Sequence, residues 1–273
     1  MKEKLVIVRG GGDIATGTIA KLYQCGFSVL ILETQNPTAI RRKVAFCDAV
    51  FEGKTVVENM TCVLAEEKSQ LEGIWENRQI PLMIDPEGKI IKSLNPVAVI
   101  DGILAKKNLG TNRNMAPITI GLGPGFQAPA DVNAVIETKR GHNLGRVIYD
   151  GSAAANTGIP GLIAGYGKER VTHAPATGVI QNQHEIGDLV KEGEVIALIG
   201  KTEVKASLTG VLRGIIKNGF SVTKGLKIAD IDPRKEEQKN CFTISDKARC
   251  VGGGALEALL HLLICQEKGE MLP

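Results

Sequence analysis

The residues best suited to chemistry lie in a glycine-rich turn near the N-terminus. The turn follows the pattern Gly10-x-Gly12-x-x-Ala15, the small-residue form of the fingerprint that binds dinucleotides. In that fingerprint the first glycine permits a tight turn, the second lets a phosphate approach the backbone, and the third small residue lets the helix pack closely on the strand. The pattern predicts a site for a dinucleotide or for another nucleotide-like or pterin-like ligand. A purely structural turn is the alternative.

Charged residues near this turn could contact such a ligand. Glu33 ends the next apolar run, near the spacing at which an acid accepts ribose hydroxyls; a solvated acid is the alternative. Asp13 begins the helix and could neutralise the positive end of its dipole, which would disfavour a pyrophosphate. Arg41 and Arg42 could bind an anion or could simply be exposed. The predicted binding residues are Gly10, Gly12, Asp13, Ala15, Glu33, Arg41 and Arg42.

No catalytic residue can be identified, and no metal site is predicted. The six cysteines form no Cys-x-x-Cys pair and the four histidines are scattered, which favours reduced, buried thiols. Cys47 is a minor candidate for a reactive thiol because Arg41, Arg42 and Lys43 precede it. A denser group of ionisable residues predicts either a site or a solvated turn, and consists of Asp131, Glu137, Lys139, Arg140 and His142.

The elements that must position these residues alternate in type over residues 1–115. An apolar run at 5–8, a helical segment at 14–25 and a second apolar run at 29–32 predict a βαβ start. Further strands at 61–65 and 80–84 alternate with helices at 66–78 and 95–106. This alternation predicts a Rossmann-like α/β domain with a parallel sheet, and residues 116–169 continue it with glycine-rich loops.

An internal repeat follows, because residues 174–199 recur at 206–231 with an offset of 32 residues. Each half is a small β unit that must pack on the other. The pattern resembles the biotinyl and lipoyl domains and implies a barrel-sandwich module over 170–233. Lys201 lies where those domains carry their modified lysine, but the flanking signatures are absent, so a structural module is favoured over a carrier. Residues 234–273 are predicted to be a linker and a helix that docks on a domain or on a second copy of the chain.

Composition excludes several classes of protein. Aromatic residues make up 4% of the 273 residues and the net charge is +3, which gives neither the basic surface nor the stacking residues of a nucleic-acid binder. No apolar run reaches the roughly 18 residues that a membrane helix needs, and the N-terminal run is too short for a signal peptide. We therefore expect a cytoplasmic protein with neither nucleic-acid nor membrane partners.

Four motifs together resemble the bacterial accessory proteins of the selenium-dependent molybdenum hydroxylase system. The motifs are the glycine turn at 9–17, Ile40-Arg41-Arg42-x-Val44-x-Phe46, the segment 137–146, and Asn156-Thr157-Gly158-x-Pro160-Gly161. The resemblance implies a factor that matures a molybdenum hydroxylase or works with its maturation machinery, and that binds a phosphate-bearing ligand, molybdopterin or a nucleotide, at the glycine turn. This family is in turn distantly similar to the xanthine dehydrogenase accessory proteins. The alternatives are an NAD(P)-dependent oxidoreductase with NAD at the turn, and a non-enzymatic carrier or scaffold that uses the β module.

Overall fold

The computed structural model describes residues 4–156, 158 and 161–270. By internal contacts the chain divides into two units. Unit 1 combines three segments, Met1–Pro37, Ala45–Asn156 and Ile244–Pro273, and unit 2 combines Thr38–Val44 with Thr157–Thr243. The predicted boundaries at 115, 169 and 233 stay predictions.

In the described residues, a nine-stranded sheet and five α-helices form unit 1. The first strand, β1 (Leu5–Arg9), leads through the glycine turn into α1 (Asp13–Gln24) and then into β2 (Ser28–Glu33). The remaining strands are β3 (Lys54–Val57), β4 (Met60–Leu64), β5 (Ile80–Ile84), β6 (Ala98–Asp101), β7 (Ile118–Leu122), β8 (Ala134–Ile136) and β9 (Val147–Ile148). The remaining helices are α2 (Ala49–Glu52), α3 (Leu71–Glu76), α4 (Ile91–Leu94) and α5 (Asp246–Glu267).

The strand order across this sheet is β3-β4-β5-β2-β1-β6-β7-β8-β9. The central strands pair in parallel, and β1 lies between β2 and β6. Apolar side chains in the middle of β1, such as Val6, Ile7 and Val8, are fully buried, as expected for a parallel strand covered on both faces. The chain changes sides of β1 after β5, so the edge where β1 and β6 end is a topological switch point, where ligands of such sheets bind.

The predicted fold class, a Rossmann-like parallel sheet plus a biotinyl-like barrel-sandwich, is corrected by this architecture. The large sheet is mixed, because β3 pairs antiparallel with β4 and β9 pairs antiparallel with β8. β3 joins β4 through a tight turn at residues 58–59, whereas β9 follows β8 only after the segment 137–146. Alternation of strands and helices reveals neither pairing.

The helix predicted at 95–106 is also wrong. Asn95 adopts the left-handed conformation with φ 46° and caps the C-terminus of α4. The residues that follow form β6, which is completely buried next to β1. A short apolar run fits a buried strand and a buried helix equally well, and here the Asn-Pro signal marks the end of a helix.

Helix α5 packs against α1 through backbone contacts that only small residues allow. A Cβ atom on Gly17 of α1 would lie 2.3 Å from the carbonyl oxygen of Ala248, and one on Gly252 would lie 2.5 Å from the carbonyl oxygen of Gly17. By length and composition alone, the helical stretch Lys235–Glu267 could cross a membrane. In the structure, however, 56% of its most apolar 18 residues is buried. Its α5 portion is therefore a core helix, as in soluble proteins.

Unit 2 contains the internal repeat and folds as two antiparallel sheets of four strands each. Its strands are β10 (Val171–His173), β11 (Gly178–Asn182), β12 (Leu189–Val190), β13 (Val195–Ile199), β14 (Thr202–Lys205), β15 (Gly210–Ile215), β16 (Ser221–Val222) and β17 (Lys227–Asp232). The sheet orders are β10-β17-β15-β12 and β14-β13-β11-β16. Apolar residues from both halves of the repeat share one core, as the repeat predicts.

Candidate functional site

The first two glycines of the turn are needed for packing. Gly10 has φ +91°, and a Cβ there would lie 2.9 Å from the backbone of Ile103. A Cβ on Gly11 would lie 3.0 Å from the amide nitrogen of Cys47, which donates to the Gly11 carbonyl oxygen at 2.9 Å. A side chain at Gly10 would adopt a strained backbone conformation and collide with the loop after β6. These two glycines are explained by the fold alone.

Gly12 differs from both neighbours. Its φ of −65° and ψ of 175° suit any residue, and a Cβ there would have nothing within 4 Å. It is the N-cap of α1, and no side chain caps the helix from this position. The first N–H groups of a helix lack partners inside that helix, so the open space at Gly12 lies in front of backbone donors and a positive dipole end.

Ala15 occupies the packing position that the fingerprint assigns to it. The residue is completely buried. A Cβ added to Gly102, the residue after β6, would lie only 2.8 Å from the Ala15 Cβ. The small side chain therefore lets α1 approach the end of β6.

Glu33 faces the glycine turn. One carboxylate oxygen accepts from the Gly11 N–H at 2.8 Å and the other from the Thr34 N–H at 2.7 Å. Burial raises the pKa of this carboxyl, and the two backbone hydrogen bonds oppose that rise. Since each oxygen keeps further acceptor capacity, the ribose contact predicted for Glu33 stays a prediction.

The thiol of Cys47 is not activated. Burial raises its pKa well above the ordinary value, and the nearby carboxylates of Glu33, Asp48 and Asp13 raise it further. A nucleophilic cysteine needs a base or a positive field that stabilises the thiolate. The minor prediction of a reactive Cys47 is therefore wrong.

Arg41 and Arg42 belong to unit 2, where both side chains are largely buried. The Arg41 guanidinium donates to the Asn240 carbonyl oxygen at 3.1 Å, and Arg42 Nε donates to the Ile215 carbonyl oxygen at 3.1 Å. Both guanidinium groups thus form hydrogen bonds with backbone carbonyl groups of their own unit. Their predicted role as anion contacts stays a prediction.

A buried polar cluster that the sequence analysis missed ties the loops at the carboxyl edge together. Arg9, at the end of β1, donates to the Thr111 hydroxyl and to the Pro86 carbonyl oxygen. Thr111 in turn donates to Asp101 at the end of β6, whose carboxylate lies 3.7 Å from the guanidinium. Burial raises the pKa of Asp101. The cluster fixes the loops that surround the glycine turn.

A second charged cluster joins the predicted ionisable segment to the start of α5. Arg140 forms a bidentate pair with Asp246 at 2.9 and 3.0 Å. The Glu137 carboxylate, at the end of β8, accepts from the N–H groups of Lys139 and Ala154 at 2.7 and 2.8 Å. Asp13, Glu137, Arg140 and Asp246 all act electrostatically on Lys247. Sequence reasoning missed Lys247 because it lies far along the chain from all four motifs.

Part of the fourth sequence motif lies outside the described residues. Thr157, Ile159 and Pro160 are not described, whereas Asn156, Gly158 and Gly161 are.

Comparison with known proteins yields one close relative and several remote structural likenesses. The chain is 52% identical over 261 residues to an Escherichia coli (strain K12) protein described as uncharacterized protein YqeB. That alignment covers 96% of this chain but only 48% of the relative, so the chain spans about half of the relative's length. No family model matches the chain.

The structural likenesses are weak. The ectoine utilization protein EutE (DoeB) from Ruegeria pomeroyi, in its product-bound form, aligns over 84% of this chain and 85% of its own at 9% identity and a TM-score of 0.27. An aspartoacylase family protein from Mesorhizobium loti aligns over 86% of each chain at 9% identity and a TM-score of 0.26. At such scores neither likeness supports a conclusion about this chain.

These comparisons correct the family resemblance drawn from the four motifs. The relative that matches 96% of the chain is described only as uncharacterized, and no family model matches the chain. The assignment to the selenium-dependent molybdenum hydroxylase system is withdrawn. The maturation role and the molybdopterin ligand that it implied are withdrawn with it. The hydroxylase partner is not tested by these comparisons and stays a prediction.

Proposed function

We propose that this chain binds a small phosphate-bearing ligand at Gly12 and the first turn of α1. One observation carries the proposal: Gly12 is the glycine of the turn that the fold does not require, since its conformation is ordinary and a Cβ there would meet nothing within 4 Å. Gly10 and Gly11, by contrast, are held by close backbone contacts. A glycine at the open N-terminus of a helix suits the close approach of a phosphate.

The surroundings of the turn favour a nucleoside phosphate over inorganic phosphate. Two carboxylates, those of Asp13 and Glu33, accompany the turn, and they would repel a bare anion. Carboxylate oxygens are good acceptors for sugar hydroxyls. A ligand with both a phosphate and a sugar would use the helix N-terminus and the Glu33 carboxylate together.

The direct test is a change at Gly12 that blocks the phosphate and spares the fold. ADP, ATP, NAD⁺ and inorganic phosphate are titrated into the wild-type protein by isothermal calorimetry. The nucleotide that binds best is then titrated into Gly12→Val. We expect affinity to fall by about tenfold or more, equivalent to about 1.4 kcal/mol. Loss of the N-cap glycine costs about 1 kcal/mol of stability at most, so the variant stays folded.

Gly73→Val is the matched control. Gly73 is an exposed residue of α3, and a Cβ there would also have nothing within 4 Å, so this variant should bind like the wild type. Equal affinity of Gly12→Val and the wild type would contradict the proposal. So would the absence of saturable binding by all four compounds.

We also propose a cytoplasmic location. The proposal is supported by the six cysteines, all of which are free thiols, as is usual where the surroundings are reducing.

A further inference from the structure

We infer that Lys247 is the cation that contacts the anionic group of the ligand bound at Gly12. The inference rests on the proposed function and adds a residue that neither the motifs nor the comparisons identify.

The start of α5 is held against the first turns of α1. Gly17, about one helical turn after Asp13, contacts the backbone of Ala248, the residue after Lys247. Asp13 also acts electrostatically on the Lys247 ammonium. The two helices therefore bring Lys247 close to the N-terminus of α1, where Gly12 leaves open space.

The position of Lys247 is electrostatically unfavourable. It is the second residue of α5, and a cation in the first turn of a helix opposes the helix dipole. The side chain is half-buried. Burial, followed by the charge of Arg140, lowers the pKa of the ammonium, and Asp13, Glu137 and Asp246 oppose that effect.

The neighbouring charged groups have hydrogen-bond partners of their own. Arg140 and Asp246 bind each other, and both oxygens of Glu137 accept backbone N–H groups. In the part of the chain that the structure describes, the Lys247 ammonium makes no hydrogen bond or ion pair. A half-buried cation without a direct partner is costly, and an anionic ligand at Gly12 would supply that partner.

Pyridoxal 5′-phosphate is a suitable probe because it carries both a phosphate and an aldehyde. The neutral Lys247 amine would attack the aldehyde carbon, with loss of water, to form an imine. Borohydride then delivers hydride to the imine carbon while water protonates the nitrogen, which leaves a stable secondary amine. A lowered pKa provides more neutral amine at neutral pH. We expect Lys247 to be labelled faster than exposed Lys268 at the other end of α5, and ADP to protect it.

Affinity for ADP provides the second readout. Lys247→Gln should weaken ADP binding by about tenfold, and Lys247→Arg, which keeps the charge, should restore part of the loss. Lys268→Gln, the matched control at the C-cap of the same helix, should bind like the wild type. Melting temperatures of all three variants establish that the proteins remain folded.

The outcomes separate the inference from the proposed function. If Gly12→Val loses affinity while Lys247→Gln binds ADP like the wild type, the inference is wrong and the proposed function stands. If neither variant changes affinity, both are wrong. Labelling of Lys247 no faster than Lys268, or without protection by ADP, would also overturn the inference.

Discussion

At the scale of single residues, the carboxyl of Glu33 links the glycine turn to pH. Its pKa is raised in the folded protein, first by burial, so the native state holds this proton more tightly than the unfolded chain does. The stabilisation that comes from this tighter proton binding is greatest below the unfolded pKa of about 4.3. It is lost as pH rises through the folded pKa.

Replacing Glu33 with Gln should remove this pH dependence. We expect the free energy of unfolding of the wild type, relative to Glu33→Gln, to be lower at pH 7 than at pH 4. Urea unfolding at both pH values measures it. The amide accepts only one of the two backbone hydrogen bonds, but that loss is constant across the pH range and does not affect the comparison. A relative stability that rises with pH would contradict the assignment.

The sequence revealed some of these residues and concealed others for a physical reason. The turn from Gly10 to Ala15 and the acid Glu33 follow each other within one βαβ unit, where local spacing fixes their positions. Lys247, Thr111 and Asp101 reach the carboxyl edge from distant parts of the chain, and no local pattern records that approach. Which glycine is open and which is packed also depends on contacts with Ile103 and Cys47.

At the scale of elements, the contact between α1 and α5 positions the site. Gly17→Ala would place a methyl group 2.3 Å from the Ala248 carbonyl oxygen, so we expect a loss of about 1–3 kcal/mol from overpacking. Thermal or urea unfolding measures the change.

Gly253→Ala on α5 serves as the control with the opposite sign. A Cβ there would have nothing within 4 Å, so the better helix propensity of alanine should stabilise the protein by up to about 1 kcal/mol. Equal effects of the two substitutions would show that the helices are not packed as closely as described.

Elements with strong local signals could be predicted, and those decided by tertiary pairing could not. β1, α1 and β2 follow from periodicity and the glycine turn. β6 was predicted as helix, because its short run of Ala98, Val99 and Ile100 has no periodicity of its own and becomes a strand by pairing with β1. The antiparallel strands β3 and β9 likewise depend on the neighbours with which they pair.

At the scale of the whole molecule, the two units have separate cores and separate buried charges. In unit 2 the two carboxylate oxygens of Asp230 accept from Arg170 Nη2 at 3.0 and 3.1 Å, and Arg213 lies 3.6 Å away. Asp230→Asn would leave buried guanidinium groups without their counter-ion, so we expect a loss of about 3–5 kcal/mol.

Combined with Gly17→Ala in unit 1, this substitution should act independently. The two residues belong to different compact units, so the losses should add to within about 0.5 kcal/mol. Calorimetry of both single variants and the double variant tests this. A coupling energy above about 1 kcal/mol would show that the units are energetically linked.

Backbone amide shifts during a nucleotide titration test the central claim most directly. In a TROSY spectrum of the deuterated protein titrated with ADP, we expect saturable shifts of the Gly12, Asp13 and Ile14 N–H signals at the start of α1. The Gly73 signal should stay unchanged. Saturable shifts confined to other parts of the chain would place the ligand elsewhere, and a spectrum that ADP leaves unchanged would contradict nucleotide binding at this turn.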